Sequence, residues 1–153
     1  MKKRVIRESP VGPVSLYAED GAVVMISFQD TGSERDDDPV LIEAEKEIRE
    51  YFKGERKAFS FPWRLDIPGF EGKCLRVLSK VPFGETVSYG RLAFLAGSPR
   101  GARAAGNAVH KNPLPILIPC HRVILGDGRI GGFGGELWIK KKLLELEGAN
   151  YRE

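Results

Sequence analysis

Near the start of the chain apolar and β-branched positions come in short runs bounded by turn residues. Further on they recur at helical spacing. The runs at 14–17 (Val-Ser-Leu-Tyr) and 24–28 (Val-Met-Ile-Ser-Phe) are flanked by Pro10 and Pro13 and by Glu19-Asp20-Gly21. They predict strands within 4–28 and a small antiparallel sheet. Positions 31–38 are polar and acidic and read as a loop. Asp38-Pro39 is a helix start, an N-cap acid followed by a proline suited to the first helical position. Leu41, Ala44, Ile48, Tyr51 and Phe52 then recur at helical spacing until Gly54, which predicts a helix covering one face of the sheet.

Positions 55–68, with Pro62, Trp63 and Pro68, read as a connection between two domains, 1–66 and 67–153. A helix is expected over 70–81, with Phe70, Cys74, Val77, Leu78 and Val81 on one face. A helix-turn-helix pattern follows. Ser88 caps a short helix holding Leu92, Ala93, Leu95 and Ala96, Gly97 stops it, and Ser98-Pro99 start a second helix reaching about His110. That second helix is rich in Ala and Gly, including Ala102 and Gly106, and small residues allow close approach to another surface or tight packing on the core. Gly126-Asp127-Gly128 inside 124–130 is a hairpin signal. A glycine-rich loop follows at 131–135, and a last helix over 136–147 packs through Leu137, Leu143, Leu144 and Leu146 before Gly148. The fold class is α+β, an antiparallel sheet with a helix followed by a mostly helical C-terminal domain.

Charge separates the halves. Residues 1–66 carry 11 Lys+Arg against 14 Asp+Glu, and residues 67–153 carry 13 against 7. No acid lies between Glu85 and Asp127, whereas Arg91, Arg100, Arg103, Lys111 and Arg122 do. Such a run is often only a solvated face, but it also suits a polyanion. Arg100 and Arg103, three apart, fall on one helix face and favour a DNA-facing role. No apolar run is long enough for a membrane helix and no signal core follows the charged start, so no membrane association is expected. Two cysteines far apart give no disulfide framework, and a reducing cytoplasm suits a working thiol. Two cysteines and two histidines offer no zinc cluster, and Asp36-Asp37-Asp38 reads as a solvated turn, so no metal and no cofactor are expected. The glycine loop lacks the Lys-Ser/Thr of a P-loop.

The chemistry concentrates at Pro115-Ile116-Leu117-Ile118-Pro119-Cys120-His121-Arg122-Val123. The aliphatic run between prolines reads as buried, extended backbone. A cysteine there is either a core residue or a nucleophile whose proton a neighbouring imidazole removes. Cys74, on an apolar helix face, reads as core packing.

Pro119-Cys120-His121-Arg122-Val123, with Asn112-Pro113 and the Ile-Leu-Ile run before it, resembles the acceptor-cysteine motif of the O6-alkylguanine-DNA alkyltransferases. The match extends through Ser88-Tyr89, Arg103, Asn112 and Gly131 to Leu143-Leu144-Glu145-Leu146-Glu147-Gly148, and it covers the C-terminal half better than the N-terminal half. The resemblance implies a ribonuclease-H-like N-terminal domain and a winged helix-turn-helix-like C-terminal domain. It implies a monomer that places a helix in the minor groove of double-stranded DNA, flips out O6-alkylguanine, or O4-alkylthymine, and moves the alkyl group irreversibly to Cys120. Flipping is needed because the alkyl carbon cannot meet a thiolate inside the stack.

By the same resemblance Arg103 fills the vacated space, Asn112 braces the turn beside the site, and Tyr89 helps rotate the nucleotide and donates to the base. Ser88, Arg100, Ala102, Gly106 and Arg122 fall at the DNA. His121, through a water, is the base for Cys120, and Glu147 orients it. The carbonyls of Cys120 and Val123 accept from the guanine amino group, and Gly131, Phe133, Gly134 and Gly135 form the lid. The pair Phe133-Gly134 departs from the family, where a hydroxyl-bearing serine often stands. Three rival readings stay open: a Cys–His hydrolase, a lesion-binding alkyltransferase-like protein without transfer, and a winged-helix regulator.

Overall fold

The computed structural model describes residues 1–30, 32–132 and 136–153, and the chain divides into two compact units, Met1–Leu65 and Asp66–Glu153.

In the first unit β1 (Lys2–Ile6), β2 (Val14–Glu19) and β3 (Ala22–Ser27) form an antiparallel sheet in the order β1-β2-β3. The turn between β2 and β3 is Asp20-Gly21, both at positive φ (52° and 76°), the backbone that a two-residue turn of this twist requires. Helix α1 (Pro39–Phe52) starts where expected, with the Asp38 carboxylate accepting from the Val40 N–H at 3.0 Å. It packs Leu41, Ala44, Ile48 and Tyr51 onto Val5, Leu16 and Val23, all at 0–1% exposure. Each such burial of a Leu or Ile contributes roughly 1.5–3 kcal/mol.

The stretch read as a connection belongs in large part to this unit. Val23 donates to Pro62 O and Arg64 donates to Val23 O, each at 3.0 Å, and Phe61 and Leu65 are buried. Two prolines mark a linker in sequence, yet the carbonyl of one still serves a strand.

The second unit is mostly helical. Helix α2 (Gly69–Leu78) buries Gly72, Cys74, Leu75 and Leu78. Phe70 and Val77, expected on the apolar face, are only half-buried, and Leu75 takes their place. A two-residue β4 (Val87–Ser88) pairs in parallel with β5 (Val123–Ile124). Helix α3 (Tyr89–Leu95) is capped by the Ser88 hydroxyl, which accepts from the Arg91 N–H at 3.0 Å, and Gly97 ends its turn at φ +98°. Helix α4 (Ala102–His110) begins three residues later than Ser98-Pro99 implied. Residues 98–101 form a turn closed by Gly101 N–H to Ser98 O at 2.9 Å, and Gly101 is the N-cap. Arg100 therefore precedes the helix instead of sharing a helical face with Arg103.

The hairpin signal is met only in part. The turn closes by Leu125 N–H to Arg129 O at 2.9 Å, but β5 pairs with β4, and the outgoing arm exchanges hydrogen bonds with Arg152. Helix α5 (Leu137–Glu147) ends at Gly148 with φ +68°. Its inward stripe is Ile139, Lys140, Leu143, Leu144 and Glu147. Leu137, expected inside, is 39% exposed, and Leu146 is half-buried.

Candidate active site

The segment before Cys120 is buried as expected but is not extended. Residues 114–118 turn back on themselves, with Ile118 N–H donating to Leu114 O at 2.8 Å. Ile116, 2% exposed, sits at φ +76°. A β-branched residue in left-handed backbone is strained by roughly 1–2 kcal/mol, and only surrounding packing holds it there. The prolines exclude helix and extended pairing together, which leaves a turn.

Asn112 locks that turn. Its side-chain amide donates to Ile118 O at 2.7 Å, and its carbonyl accepts from Leu114 N–H at 3.0 Å. The chain then enters a 3-10 turn, η1 (Cys120–Arg122), with Cys120 7% and His121 0% exposed. Burial pushes the Cys120 thiol above its ordinary pKa. The Asn112 side chain, the Lys140 charge and the backbone N–H groups of Cys120 and His121 act the other way. The resting sulfur is a thiol that needs a base.

His121 is placed to be one. Its Nε2 lies 2.7 Å from Glu147 Oε2, so Nε2 carries the proton and Nδ1 presents its lone pair. Nδ1 is buried and has no hydrogen-bond partner among the described residues. Burial, helped by Arg122 and Lys140, keeps the imidazole pKa below its ordinary value although Glu147 pulls upward. It is therefore neutral at pH 7.

Glu147 is held from all sides. Arg122 Nε donates to its Oε1 at 2.8 Å and Arg122 Nη2 to its Oε2 at 2.9 Å, and the Gly84 N–H reaches Oε1 at 3.1 Å. Arg122 Nη1 also donates to Val81 O at 2.6 Å. The sequence reading put Arg122 at the DNA; the structure turns its side chain inward. At 6% exposure its guanidinium is spent on Glu147.

Tyr89, first residue of α3, lies close enough to Cys120 for the sulfur's charge to raise its pKa, in addition to the larger effect of burial. Its hydroxyl keeps its proton and is a donor. Gly106 on α4 faces the same ring: a Cβ there would lie 3.8 Å from it. Arg100, Ala102 and Arg103 are exposed, and Ser88 lies at the start of α3. Gly131 has φ +71°, and a Cβ there would come within 3.3 Å of the Leu125 side chain. Phe133, Gly134 and Gly135 lie outside the described residues.

Sequence reasoning missed Lys140. Its ammonium is 0% exposed and donates to Ile130 O at 2.6 Å, Val123 O at 2.7 Å and Gly132 O at 2.9 Å. It ties β5 to the chain leading into the glycine loop. Burial lowers its pKa to about 8, opposed by the Cys120 sulfur. Val123 O, expected to meet guanine, thus already accepts one hydrogen bond and has one lone pair left. Lys140 stands seven residues before Glu147 and three before Leu143, so its place on the inward stripe was readable; the flanking Lys141-Lys142 made it look solvated. Nothing in the sequence marked the Gly84 N–H or the Val81 carbonyl as part of the site. Among the described residues no three His, Cys, Asp or Glu side chains gather as a metal site.

Comparison with known proteins places this geometry. The family model described as 6-O-methylguanine DNA methyltransferase, DNA binding domain, matches residues 69–149, and the one described as its ribonuclease-like domain matches residues 1–65. The constitutive methylated-DNA–protein-cysteine methyltransferase of Bacillus subtilis is 35% identical over 157 residues, covering 95% of each chain. That of Metallosphaera sedula is 38% identical over 143 residues, covering 92% of this chain and 90% of its own. Among solved structures, Mycobacterium tuberculosis O6-methylguanine methyltransferase superposes with a TM-score of 0.86 at 33% identity, covering 99% of this chain and 94% of its own. Its complex with DNA gives 0.86 at 34% identity, covering 98% and 96%.

Proposed function

The chain belongs to the O6-alkylguanine-DNA alkyltransferase (methylated-DNA–protein-cysteine methyltransferase) family, and from that premise we propose how its own residues carry the reaction. The protein is a DNA-binding repair enzyme of the suicide type, in which an alkyl group passes irreversibly to a cysteine, Cys120. The observation that carries the mechanism is the buried His121–Glu147 pair at 2.7 Å, with His121 Nδ1, on the residue next to Cys120, left without a partner among the described residues.

Nδ1 takes the Cys120 proton through a water. The sulfur attacks the alkyl carbon of O6-alkylguanine in line; the S–C bond forms as the C–O6 bond breaks, and the electron pair leaves with the guanine. Tyr89, kept protonated by burial, donates to the departing base. The imidazolium formed on His121 is stabilised by the Glu147 carboxylate, which Arg122 and Gly84 prevent from swinging away. Asn112 fixes the turn that presents the thiol, and Val123 O keeps a lone pair for the guanine amino group. The product thioether has no carbonyl for water to attack, so each molecule turns over once.

The substrate is read as double-stranded DNA carrying O6-alkylguanine, with O4-alkylthymine as a second lesion, extruded before reaction. Helix α4 suits the minor groove: Ala102 and Gly106 allow approach, exposed Arg103 fills the emptied stack, and Arg100 and Ser88 contact phosphates. Of the residues the resemblance assigns to the lid, Gly131 is the described one. No helix among the described residues is long and apolar enough to cross a membrane. The protein is read as a monomer, and as cytoplasmic because a reducing compartment preserves a working thiol.

The test is intact-protein mass spectrometry after mixing with an O6-methylguanine duplex. One methyl mass per protein, mapped to Cys120, is expected. Lesion binding without an adduct would move the protein to the recognition-only class, and turnover would make it a hydrolase.

A further inference from the structure

A cleft in the acidic N-terminal unit has a lining that is mainly arginine. It has a volume of about 560 Å³ and is bordered by Arg7, Glu8, Arg35 and Arg49. Behind it lies Glu45, whose carboxylate takes Arg4 Nε at 2.6 Å, Arg35 Nη1 at 2.8 Å and Arg49 Nε at 2.8 Å. We propose that this cleft is a second phosphate site, and that its occupant is a backbone phosphate of DNA. The proposal rests on the repair function just given, which supplies the polyanion.

Arg4 is turned inward, 12% exposed at its side chain, and also faces Asp37 at 3.6 Å, so it supports Glu45 without lining the cleft. Arg35 and Arg49 are each 43% exposed at the side chain. Arg35 spends Nη1 on Glu45 and Val5 O, and Arg49 spends Nε on Glu45; their other guanidinium N–H groups take no partner among the described residues. Arg7 is exposed and makes no ion pair among the described residues. Glu8 is the one carboxylate at the rim.

Satisfying one buried carboxylate does not require three guanidinium groups, and an anion is what their spare donors fit. A guanidinium presents a planar fork that matches phosphate, and Glu45 holds two of the forks in place before anything binds. Less side-chain freedom is then lost on contact than from loose surface arginines.

The experiment compares the full-length protein with Arg7→Ala and with Arg7→Ala/Arg49→Gln for binding to a short unmodified duplex across a salt series. Arg7 holds nothing in the fold, so its variant keeps the wild-type melting temperature; the same check is made on the double variant. The slope of log affinity against log salt should shrink by about one for each phosphate contact removed, with affinity several-fold weaker at low salt. Methyl transfer from free O6-methylguanine base should stay at the wild-type rate. Slopes that coincide with wild type overturn the proposal. A melting temperature raised by inorganic phosphate in wild type but not in the variants, with unchanged DNA slopes, would also overturn it, by making the occupant free phosphate. If wild type takes no methyl from a lesion, the repair function falls, while the slope on unmodified DNA still decides the cleft.

Discussion

In each unit of the protein a buried carboxylate gathers several basic groups, Glu147 in one and Glu45 in the other, and these two are used in opposite ways. Glu147 has 0% side-chain exposure, and the groups that hold it, among them His121, Arg122 and the Gly84 N–H, are themselves buried or half-buried. Glu45 has 10% side-chain exposure, and two of its three arginines reach solvent. Enclosure turns the first carboxylate into a fixed support for one imidazole. Openness turns the second into an anchor from which guanidinium groups point outward. The same residue type thus serves chemistry where all donors turn inward and recognition where some are left over.

The sharpest test of that difference is Glu147→Gln. It leaves the shape and removes the charge that favours imidazolium on His121. Transfer to Cys120 should slow on the order of 10²–10⁴-fold, the usual worth of a positioned general base. Affinity for a lesion duplex should stay near wild type. Losing one partner of a buried pair is destabilising by about 3–5 kcal/mol, so rates are compared at low temperature with folding confirmed. A wild-type transfer rate would remove Glu147 from the relay and make it a structural carboxylate like Glu45.

A smaller effect, confined to one substrate, is expected at Arg103, which belongs to neither cluster. Arg103→Ala should slow repair in duplex DNA by about 10–10²-fold, because unstacking a base costs a few kcal/mol and the side chain offsets part of it. Transfer from free O6-methylguanine should be unaffected. Equal losses on both substrates would place Arg103 in the chemistry and not in extrusion.

Lys140 extends the enclosed cluster, and its pKa of about 8 gives a pH signature. Below about 8 its ammonium favours a thiolate at Cys120; as pH rises toward the ordinary thiol value of 9.0 that help is lost, so transfer from free base should fall several-fold over this window. Stability moves the other way. The folded pKa lies below the ordinary 10.5, so the unfolded chain binds the extra proton between about 8 and 10.5, and unfolding free energy rises with pH there. Lys140→Met should have a lower rate plateau with neither trend. A rate profile for Lys140→Met parallel to wild type would detach the lysine from the sulfur.

These clusters also separate what the chain displays from what only folding reveals. The nucleophile, its neighbouring histidine, Glu147, the Ser88 cap and the Asp38-Pro39 start are local patterns, and local patterns are legible. Arg122 was not: a charged residue in a basic stretch reads as surface, and only a carboxylate 25 positions away explains why it turns inward. Lys140 failed for the same reason, since its three acceptors are backbone carbonyls, which carry no sequence signature. The turn at Ile116 failed because left-handed backbone is foreign to a β-branched residue, so composition argued for a strand where packing imposed a turn.

Glu45→Gln completes the comparison from the open side and should have the smallest effect on chemistry. Transfer from free base should not change, because no atom of this cluster belongs to the relay. Stability should fall by about 1.5–3 kcal/mol at neutral pH, the range for hydrogen bonds to a charged group. Burial raises the Glu45 pKa, but Arg49, Arg4 and Arg35 together bring it below the ordinary 4.5. A depressed carboxylate contributes its stability in full above the unfolded value and loses it as pH falls through the folded one. The wild-type advantage in urea unfolding should therefore be complete above about pH 4.5 and close below it. An advantage that persisted unchanged into acid would mean that the arginines are held by packing along their stems, and that Glu45 does not organise the cleft.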